Sequence, residues 1–484
     1  MHNPHKILRI AMLSCQPSTL HMMKSFSPII SYAMILIFFQ ACQSSGNQPA
    51  SFSNQAGEVR LIILDPGHFH AALIQKTEYK QVNPEVFVYA PEGKDLQEYL
   101  ARIDGYNQRP DQPTHWKETV YTGEDYLTKM LEGKKGNVLI TAGNNLKKTQ
   151  YIKAALENGM NVLADKPMAI NKENFELLKT CFRIAEEQNV LLYDIMTERY
   201  EITTLLQKEI AQISGLFGQL ETGTPENPAV TKESVHHFFK SVSGAPVIRP
   251  AWFFDVEQQG EGIVDVTTHL VDLVQWECFP EQILDYQKDI EMIAAHRWST
   301  PILPAEFRKA TGLKDYPEFL SKYLKDSILQ VYSNGEITYR LKGVYAKISV
   351  IWNFEAPEGA GDTHYSVMRG SLSHAIIRQG AEQNYQPRLY VEPSENSDLS
   401  TLETNLRNNL SKLSAKYPGI DLAKTEKGFE VTIPDRYRIG HEGHFGQVAE
   451  NFMKYLIDGK LPKWEVPNMI AKYYTTTKAL EMAQ

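Results

Sequence analysis

The chain has 484 residues, 42% of them hydrophobic, with 22% charged residues and a formal net charge of -8. This length and apolar content suit two or three domains, and the composition excludes collagen, coiled-coil and low-complexity chains. The mild acidity argues against a nucleic-acid partner, which calls for a basic patch.

Nothing acidic precedes Glu58. Lys24 is followed by an apolar run from Ile29 to Phe39. At about 11 residues it has the size of a signal-peptide core and is too short to span a bilayer. The run ends Phe39-Gln40-Ala41-Cys42. A small residue before a cysteine resembles a bacterial lipobox, with Cys42 as the lipidated residue. Met22 or Met23, just ahead of Lys24, suits such a leader better than Met1 as its start. The stretch 43–57, rich in Gln, Ser, Asn and Gly, reads as a flexible tether. The expectation is an exported lipoprotein of a Gram-negative-type bacterium, periplasmic or at the cell surface, held to a membrane through Cys42. No twin-arginine pair is present, so export would involve an unfolded chain carrying no prebound cofactor. Of the four cysteines, Cys15 and Cys42 precede the folded body, which leaves Cys181 and Cys278 for at most one internal disulfide.

From residue 58 the pattern alternates. Strands are predicted at 59–64, 85–90, 119–121, 137–141, 161–164 and 190–194. Helices are predicted from His68 to about Lys76, over 124–131, over 148–158 stopping at Gly159, and over 171–188. Strands alternating with helices predict βαβ units and a parallel sheet, hence a doubly wound Rossmann-like domain over 58–196. Ligands bind such sheets at the carboxyl ends of the strands. The candidates there are Asp65–His70, Tyr89–Gly93, Thr141–Asn145 and Asp165–Met168. Residues 197–484 read as an α+β domain with a large, mostly antiparallel open sheet. Strands are predicted at 327–332, 336–341, 346–354, 374–379 and 388–392, with Asn334-Gly335 as a hairpin turn. A peripheral helix and hairpin follow over 395–430, and helices over about 444–484.

Gly-Met-Asn-Val-Leu-Ala-Asp-Lys-Pro-Met-Ala (159–169) resembles the "GkxVlxEKPla" segment of the glucose–fructose oxidoreductase/inositol dehydrogenase (Gfo/Idh/MocA) family. Roughly 100 residues later, Gly262-Ile263-Val264-Asp265-Val266-Thr267-Thr268-His269-Leu270-Val271-Asp272 resembles that family's "G-x-x-x-D-x-x-x-H-x-x-D" segment. The resemblance covers most of residues 59–484 and is closest to exported, Bacteroidetes-type oxidoreductases. It implies NAD or NADP in the first domain, a sugar or polyol substrate, and an open sheet covering the nicotinamide. Family sheets of this kind often mediate homo-oligomer contacts.

Oxidising a hydroxyl needs a base for the O–H proton and an acceptor for the hydride. By resemblance His269 is the base and Lys166 polarises the reacting oxygen. Asp265, four residues before His269, shares its face on a helix and touches substrate or biases the imidazole; Asp272 supports His269 or meets substrate. The plainer readings are Asp265 as a helix N-cap, His269 as a core histidine and Lys166-Pro167 as a strand-ending turn.

The dinucleotide fingerprint is degenerate. Gly67 is the middle glycine of Asp65-Pro66-Gly67-His68-Phe69-His70-Ala71, and Asp65 puts a carboxylate where a pyrophosphate would approach. Helix-terminal N–H groups still offer an anion site, with His68 or His70 as phosphate or substrate contacts. Glu92 has acceptable spacing for a ribose-binding acid. Gly143, Asn144 and Asn145 could meet the ribose or carboxamide or form an ordinary Asn-rich turn, and Asp165 and Lys166 complete the cofactor set. In the second domain Lys240, Arg249 and Trp252 are candidate sugar contacts, since rings stack on C–H faces and polar groups hold hydroxyls. Trp298 and Asp362-Thr363-His364 are further cleft candidates. Adjacent His236 and His237 point to opposite faces of a strand, so no metal site is assigned.

The expectation is therefore NAD(P)-dependent oxidation or reduction of a sugar hydroxyl. Two alternatives stand beside it: a carbohydrate lyase or hydrolase working by transient oxidation or on a keto-sugar, and a non-catalytic carbohydrate-binding lipoprotein.

Overall fold

Short apolar runs between turns build the first half of the computed structural model, which describes residues 52–242 and 245–484. The leader, Cys42 and all but the end of the tether lie outside the described residues. β1 (Leu61–Leu64), β2 (Glu85–Ala90), β3 (Lys117–Thr122), β4 (Val138–Thr141), β5 (Asn161–Asp165) and β6 (Leu192–Ile195) pair in parallel in the order β3-β2-β1-β4-β5-β6. Strands β1, β4, β5 and β6 are buried along their whole length, as a sheet covered on both faces requires. The connecting helices are α1 (His70–Leu73), α2 (Lys94–Gln108), α3 (Tyr126–Gly133), α4 (Lys148–Glu157) and α5 (Lys172–Gln188). The Asn171 side chain caps α5 by accepting from the Asn174 N–H at 2.8 Å.

Two of these helices correct the sequence reading. The helix expected from His68 to Lys76 shrinks to the four residues of α1. The N–H groups of Ala71, Ala72, Gln75 and Lys76 bond three residues back, so the segment winds as tight turns and does not propagate. Conversely, α2 had no prediction. Only Leu96, Tyr99 and Ile103 are buried in its fifteen residues, a stripe too thin to stand out in sequence.

The second half is built on one large sheet. Its main strands are β7 (Val230–Phe239), β8 (Ile290–Ile302), β9 (Ile328–Leu341), β10 (Val344–Glu355), β11 (Thr363–Arg369), β12 (Ser373–Gln379), β13 (Arg388–Pro393), β14 (Asp421–Lys424) and β15 (Phe429–Thr432). Their order is β8-β9-β10-β7-β11-β12-β13-β15-β14. Along this path only β10 and β7 run parallel. The hairpin over 421–432 thus extends this sheet through β15 and β13.

Asn334-Gly335 is not a turn, contrary to expectation. It lies inside β9, paired with β8 on one side and β10 on the other. The Asn334 Nδ2 donates to the Trp298 carbonyl at 3.0 Å and to Thr300 Oγ1 at 2.8 Å, filling the irregularity where β8 shifts register. Gly335 leaves room for Ile263, whose Cβ would lie 2.5 Å from an added Gly335 Cβ. The chain reverses instead at Lys342 and Gly343, with φ of 47° and 90°.

Across the sheet lie α6 (Ile202–Ala211), the short α7 (Val256–Gln259) and α8 (Thr267–Cys278), followed near the C-terminus by α9 (Leu399–Lys416), α10 (Gly440–Asp458) and α11 (Glu465–Ala483). Two hydrophobic cores result. Phe445, Val448 and Phe452 of α10 join the first, around the parallel sheet. Helix α11 serves both, giving Met469 and Tyr473 to the first core and Ala471, Ala479 and Leu480 to the second. Cys181 and Cys278 are both free thiols. No helix among the described residues is long and apolar enough to cross a membrane.

Candidate active site

Strand β5 ends at Asp165, and Lys166 follows it through a cis peptide to Pro167. Lys166 Nζ lies 2.6 Å from Asp265 Oδ1, and Asp265 Oδ2 accepts from Gln259 Nε2 at 3.0 Å. Asp265 stands in the turn ahead of α8 and makes no N-cap hydrogen bond; the capping position is Val266. Lysine and aspartate therefore meet across the two halves of the molecule. Burial would strip the Lys166 charge, but Asp265 and Asp165 outweigh it and raise its pKa.

His269, in the first turn of α8, opens into a cavity of about 180 Å³. Its Nδ1 is buried and has no hydrogen bond. Burial, reinforced by the Lys166 charge, holds its pKa well below the ordinary value, so the imidazole is neutral. Glu198, His236, Asp362, Thr363 and His364 share this cavity. Burial and the charge of Glu201 push the Glu198 carboxyl up to about 7. Neither Glu198 nor Glu201 stood out in sequence, because their neighbourhood of Thr197–Tyr200 carries no motif; only burial and mutual charge mark them.

The turn after β1 has its own chemistry. Asp65 adopts a left-handed φ of 49°, a region Asp tolerates better than most residues, and its carboxylate accepts from the Tyr151 hydroxyl at 2.8 Å. The N–H groups of Gly67 and His68 both donate to the Ala142 carbonyl at 3.2 Å. A methyl group on Gly67 would lie 3.0 Å from Asp95 Oδ2 and 3.1 Å from Trp252 Cζ2; one on Gly143 would lie 2.5 Å from the Asp65 carbonyl. The glycines thus let protein segments approach one another. His68 Nδ1 and His70 Nδ1 converge on Asp165, at 3.3 Å from Oδ2 and 3.0 Å from Oδ1. Burial lowers both histidines, His70 to about 4. Asp165 stays ionised, because His70 and His68 outweigh the effect of burial on its carboxyl. His441 of α10 stacks on His70 with ring centroids 4.9 Å apart. Phe69 turns outward, 38% exposed, below the Arg102 guanidinium. Glu92 is exposed in the loop after β2.

Several expected contacts have other roles. Asn144 Nδ2 donates to Gln258 Oε1 and Asn145 Nδ2 to the Gln259 carbonyl, both at 2.6 Å, so both side chains clamp α7 to the end of β4. Trp252 Nε1 donates to Asp95 Oδ2 at 2.8 Å, laying the indole over the Gly67 turn and away from the cavity lining. Arg249 is buried, bonded to the Phe238 and His237 carbonyls and stacked on Phe253 and Trp352. Asp272 points away from His269 into an ion network with Arg199 and Lys472. Lys240 pairs with Asp362, which also receives His237 Nδ1 at 2.9 Å and lies 3.4 Å from His236 Nδ1. The two adjacent histidines line different cavities yet share this carboxylate. Trp298 is 39% exposed and outside the cavity lining.

Residues 206–484 match a domain family described as "Putative oxidoreductase C terminal domain". The chain is similar to a crystal structure described as a "putative oxidoreductase" from Parabacteroides merdae, with 60% identity over 90% of this chain and 99% of that one and a TM-score of 0.88. More distant in sequence are a levoglucosan dehydrogenase solved with NADH and levoglucosan (13% identity, 88% of this chain and 97% of that one, TM-score 0.56) and GenD2 of gentamicin A biosynthesis solved with NAD (12%, 89% and 95%, TM-score 0.55). These two show likeness of fold. No curated protein matches. With more than half its length in that domain family, and a relative 60% identical over 90% of its length, the chain belongs to the Gfo/Idh/MocA family.

Proposed function

We propose that the chain is an oxidoreductase acting on a hydroxyl of a sugar or sugar derivative, with NAD or NADP as hydride acceptor. One observation carries this reading. Lys166, at the carboxyl edge of a sheet in the order 3-2-1-4-5-6, meets Asp265, with a neutral His269 four residues further on, beside a cavity into which Glu198, His236, Asp362 and His364 also open. Sheets of that order take dinucleotides across the β1/β4 switch point. The levoglucosan dehydrogenase and GenD2 folds, solved with NADH and NAD, support it further.

The chain's own residues divide the work. His269 accepts the hydroxyl proton, being unprotonated at neutral pH. Lys166 donates a hydrogen bond to the same oxygen and stabilises its developing negative charge. Asp265 and Gln259 fix the Lys166 ammonium. His236, Asp362 and His364 offer polar atoms for the remaining hydroxyls. A bound nicotinamide would supply the two-electron acceptor.

The ring end of such a cofactor fits Lys166 and His269. The phosphate end does not fit the turn as it stands: the Gly67 and His68 N–H groups are spent on Ala142, and Trp252 and Asp95 cover Gly67. Binding therefore requires this turn and the Trp252–Asp95 contact above it to rearrange. The same closure favours the second reading, elimination or hydrolysis of a keto-sugar without a dissociable nucleotide.

Titration with NAD(H) and NADP(H), followed by reduced-nicotinamide fluorescence, separates the two. The expected result is saturable binding, with hydride transfer to or from a sugar that His269→Ala abolishes while binding remains. No binding up to millimolar nucleotide would sink the dehydrogenase reading. We also propose export and lipid anchoring through Cys42. Cys42→Ala is expected to move the protein from the membrane to the soluble fraction, and an unchanged membrane fraction would refute the anchor.

A further inference from the structure

We propose that His68, His70 and Asp165 form a binding site for a divalent transition-metal ion, with zinc the best match to the donor set. One ligand atom from each of these three residues, a ring nitrogen of each histidine and a carboxylate oxygen, lies within 4.8 Å of the other two. Their closest separations, 3.0 and 3.3 Å, are near the roughly 3.4 Å between ligands bound about 2.0–2.2 Å from a shared tetrahedral ion. Two histidines and one carboxylate are a frequent ligand set of catalytic zinc, which keeps its fourth position for water or substrate.

The local architecture supports the assignment independently. The turn after β1 is laid over the end of β4 by the two hydrogen bonds to Ala142, which carries His68 and His70 across to β5. His68 Nδ1 is buried there with no hydrogen bond of its own, aimed at Asp165. His441 stacked on His70 and the Lys148 ammonium, 3.1 Å from the Asp165 carbonyl, hold the ligands in place. Lys148 and Lys166 bring positive charge close by, and Asp265 neutralises the latter. On binding, the His70 Nδ1 proton moves to Nε2, the Nδ1 lone pair goes to the ion, and no redox partner is needed. An ion held here would supply Lewis-acid chemistry close to Lys166, the residue that follows Asp165. This explains why His-Phe-His stands where a dinucleotide fold carries its glycine turn. It does not depend on nucleotide binding.

The test uses the purified full chain, stripped with chelator and titrated with Co²⁺ alone, following visible d–d absorption, and then with Zn²⁺ in competition. The expected result is one equivalent of Co²⁺ with an imidazole–carboxylate spectrum, displaced by Zn²⁺. Affinity should fall at least about 100-fold in His68→Ala and in Asp165→Asn and stay unchanged in His115→Ala, whose ring is exposed beside Glu78. Asp165→Asn disturbs a buried cluster, so partly exposed His68→Ala, checked by an unchanged far-ultraviolet circular dichroism spectrum, keeps the test decisive. Absence of saturable one-equivalent binding, or binding that survives His68→Ala, overturns the site.

Discussion

Glu198 sits in the same cavity as His269, and its raised pKa makes two outcomes measurable. An acid whose folded pKa is raised, here from 4.5 to about 7, contributes full stability below the unfolded value and loses it as pH rises through the folded one. Wild-type stability should therefore fall between about pH 4.5 and 7, and Glu198→Gln should flatten that limb, gaining up to roughly 3 kcal/mol at pH 8 in urea unfolding. Parallel curves for the two proteins would refute the raised pKa. Lys166→Met should lower kcat about 10²–10³-fold with a smaller change in KM, because its hydrogen bond strengthens as the oxygen gains charge; a change confined to KM would assign Lys166 to binding. Lys166, Asp265 and His269 could be singled out in sequence because each lies in a segment whose residue order is itself the signal, and the fold brings Lys166 against Asp265. Glu198 could not, since an isolated glutamate acquires its chemistry only from burial. Arg249, Trp252 and Asp272 had the right chemistry for a sugar site, but the fold spends them on carbonyls, on Asp95 and on Arg199.

At the scale of elements, strand periodicity was the reliable signal. Every strand predicted in the first half formed; continuous apolar runs leave little choice for the buried β1, β4, β5 and β6, while β3, mostly polar and exposed at the sheet edge, follows from its β-branched and aromatic Thr119-Val120-Tyr121. Asn334-Gly335 shows where local signals fail. The dipeptide is the strongest hairpin signature in the chain, yet its asparagine patches a register shift in β8 and its glycine admits Ile263. Tertiary demands for those two residues coincide with turn chemistry, and no local window can separate them. The packing makes a direct prediction. A Gly335→Ala methyl would lie 2.5 Å from Ile263 Cβ and 2.7 Å from its Cα. It must push the segment that delivers Asp265 away from β9, at a cost of about 1–3 kcal/mol. Were the dipeptide a true turn, alanine would instead cost little in packing. A lowered urea midpoint accompanied by a loss of kcat supports the packing role; an unchanged midpoint refutes it.

Across the whole molecule, the two cores are joined by buried charge as well as by α11. Arg199 holds Asp272 through two bonds of 2.6 and 2.7 Å and Glu465 at 2.9 Å. Lys472 of α11 reaches Asp194 of β6 at 2.7 Å and Asp272 of α8 at 2.9 Å. Tyr473 adds a hydrogen bond to Asp194 at 2.9 Å. This network ties the parallel sheet to the helix bearing His269, so it also sets where that histidine stands relative to Lys166. Burial would raise the Asp272 carboxyl, but Arg199 and Lys472 hold it well below the ordinary carboxylate value. A depressed carboxylate contributes stability above its unfolded pKa, near 3.8, and that stability is lost as pH falls through the folded value. Lys472→Met removes one cation shared by two buried carboxylates. Breaking a buried pair from one side costs about 3–5 kcal/mol, because the remaining charge stays buried. The loss should appear at pH 7 as a lower urea midpoint and at low pH as acid unfolding that begins at a higher pH than in wild type. Asp194 keeps only its tyrosine, while Asp272 keeps Arg199, so the junction between the cores should weaken more than either core. A single unfolding transition in wild type that separates into two in the variant is the expected outcome. An unchanged midpoint with one transition would mean that apolar packing of α11 alone joins the halves.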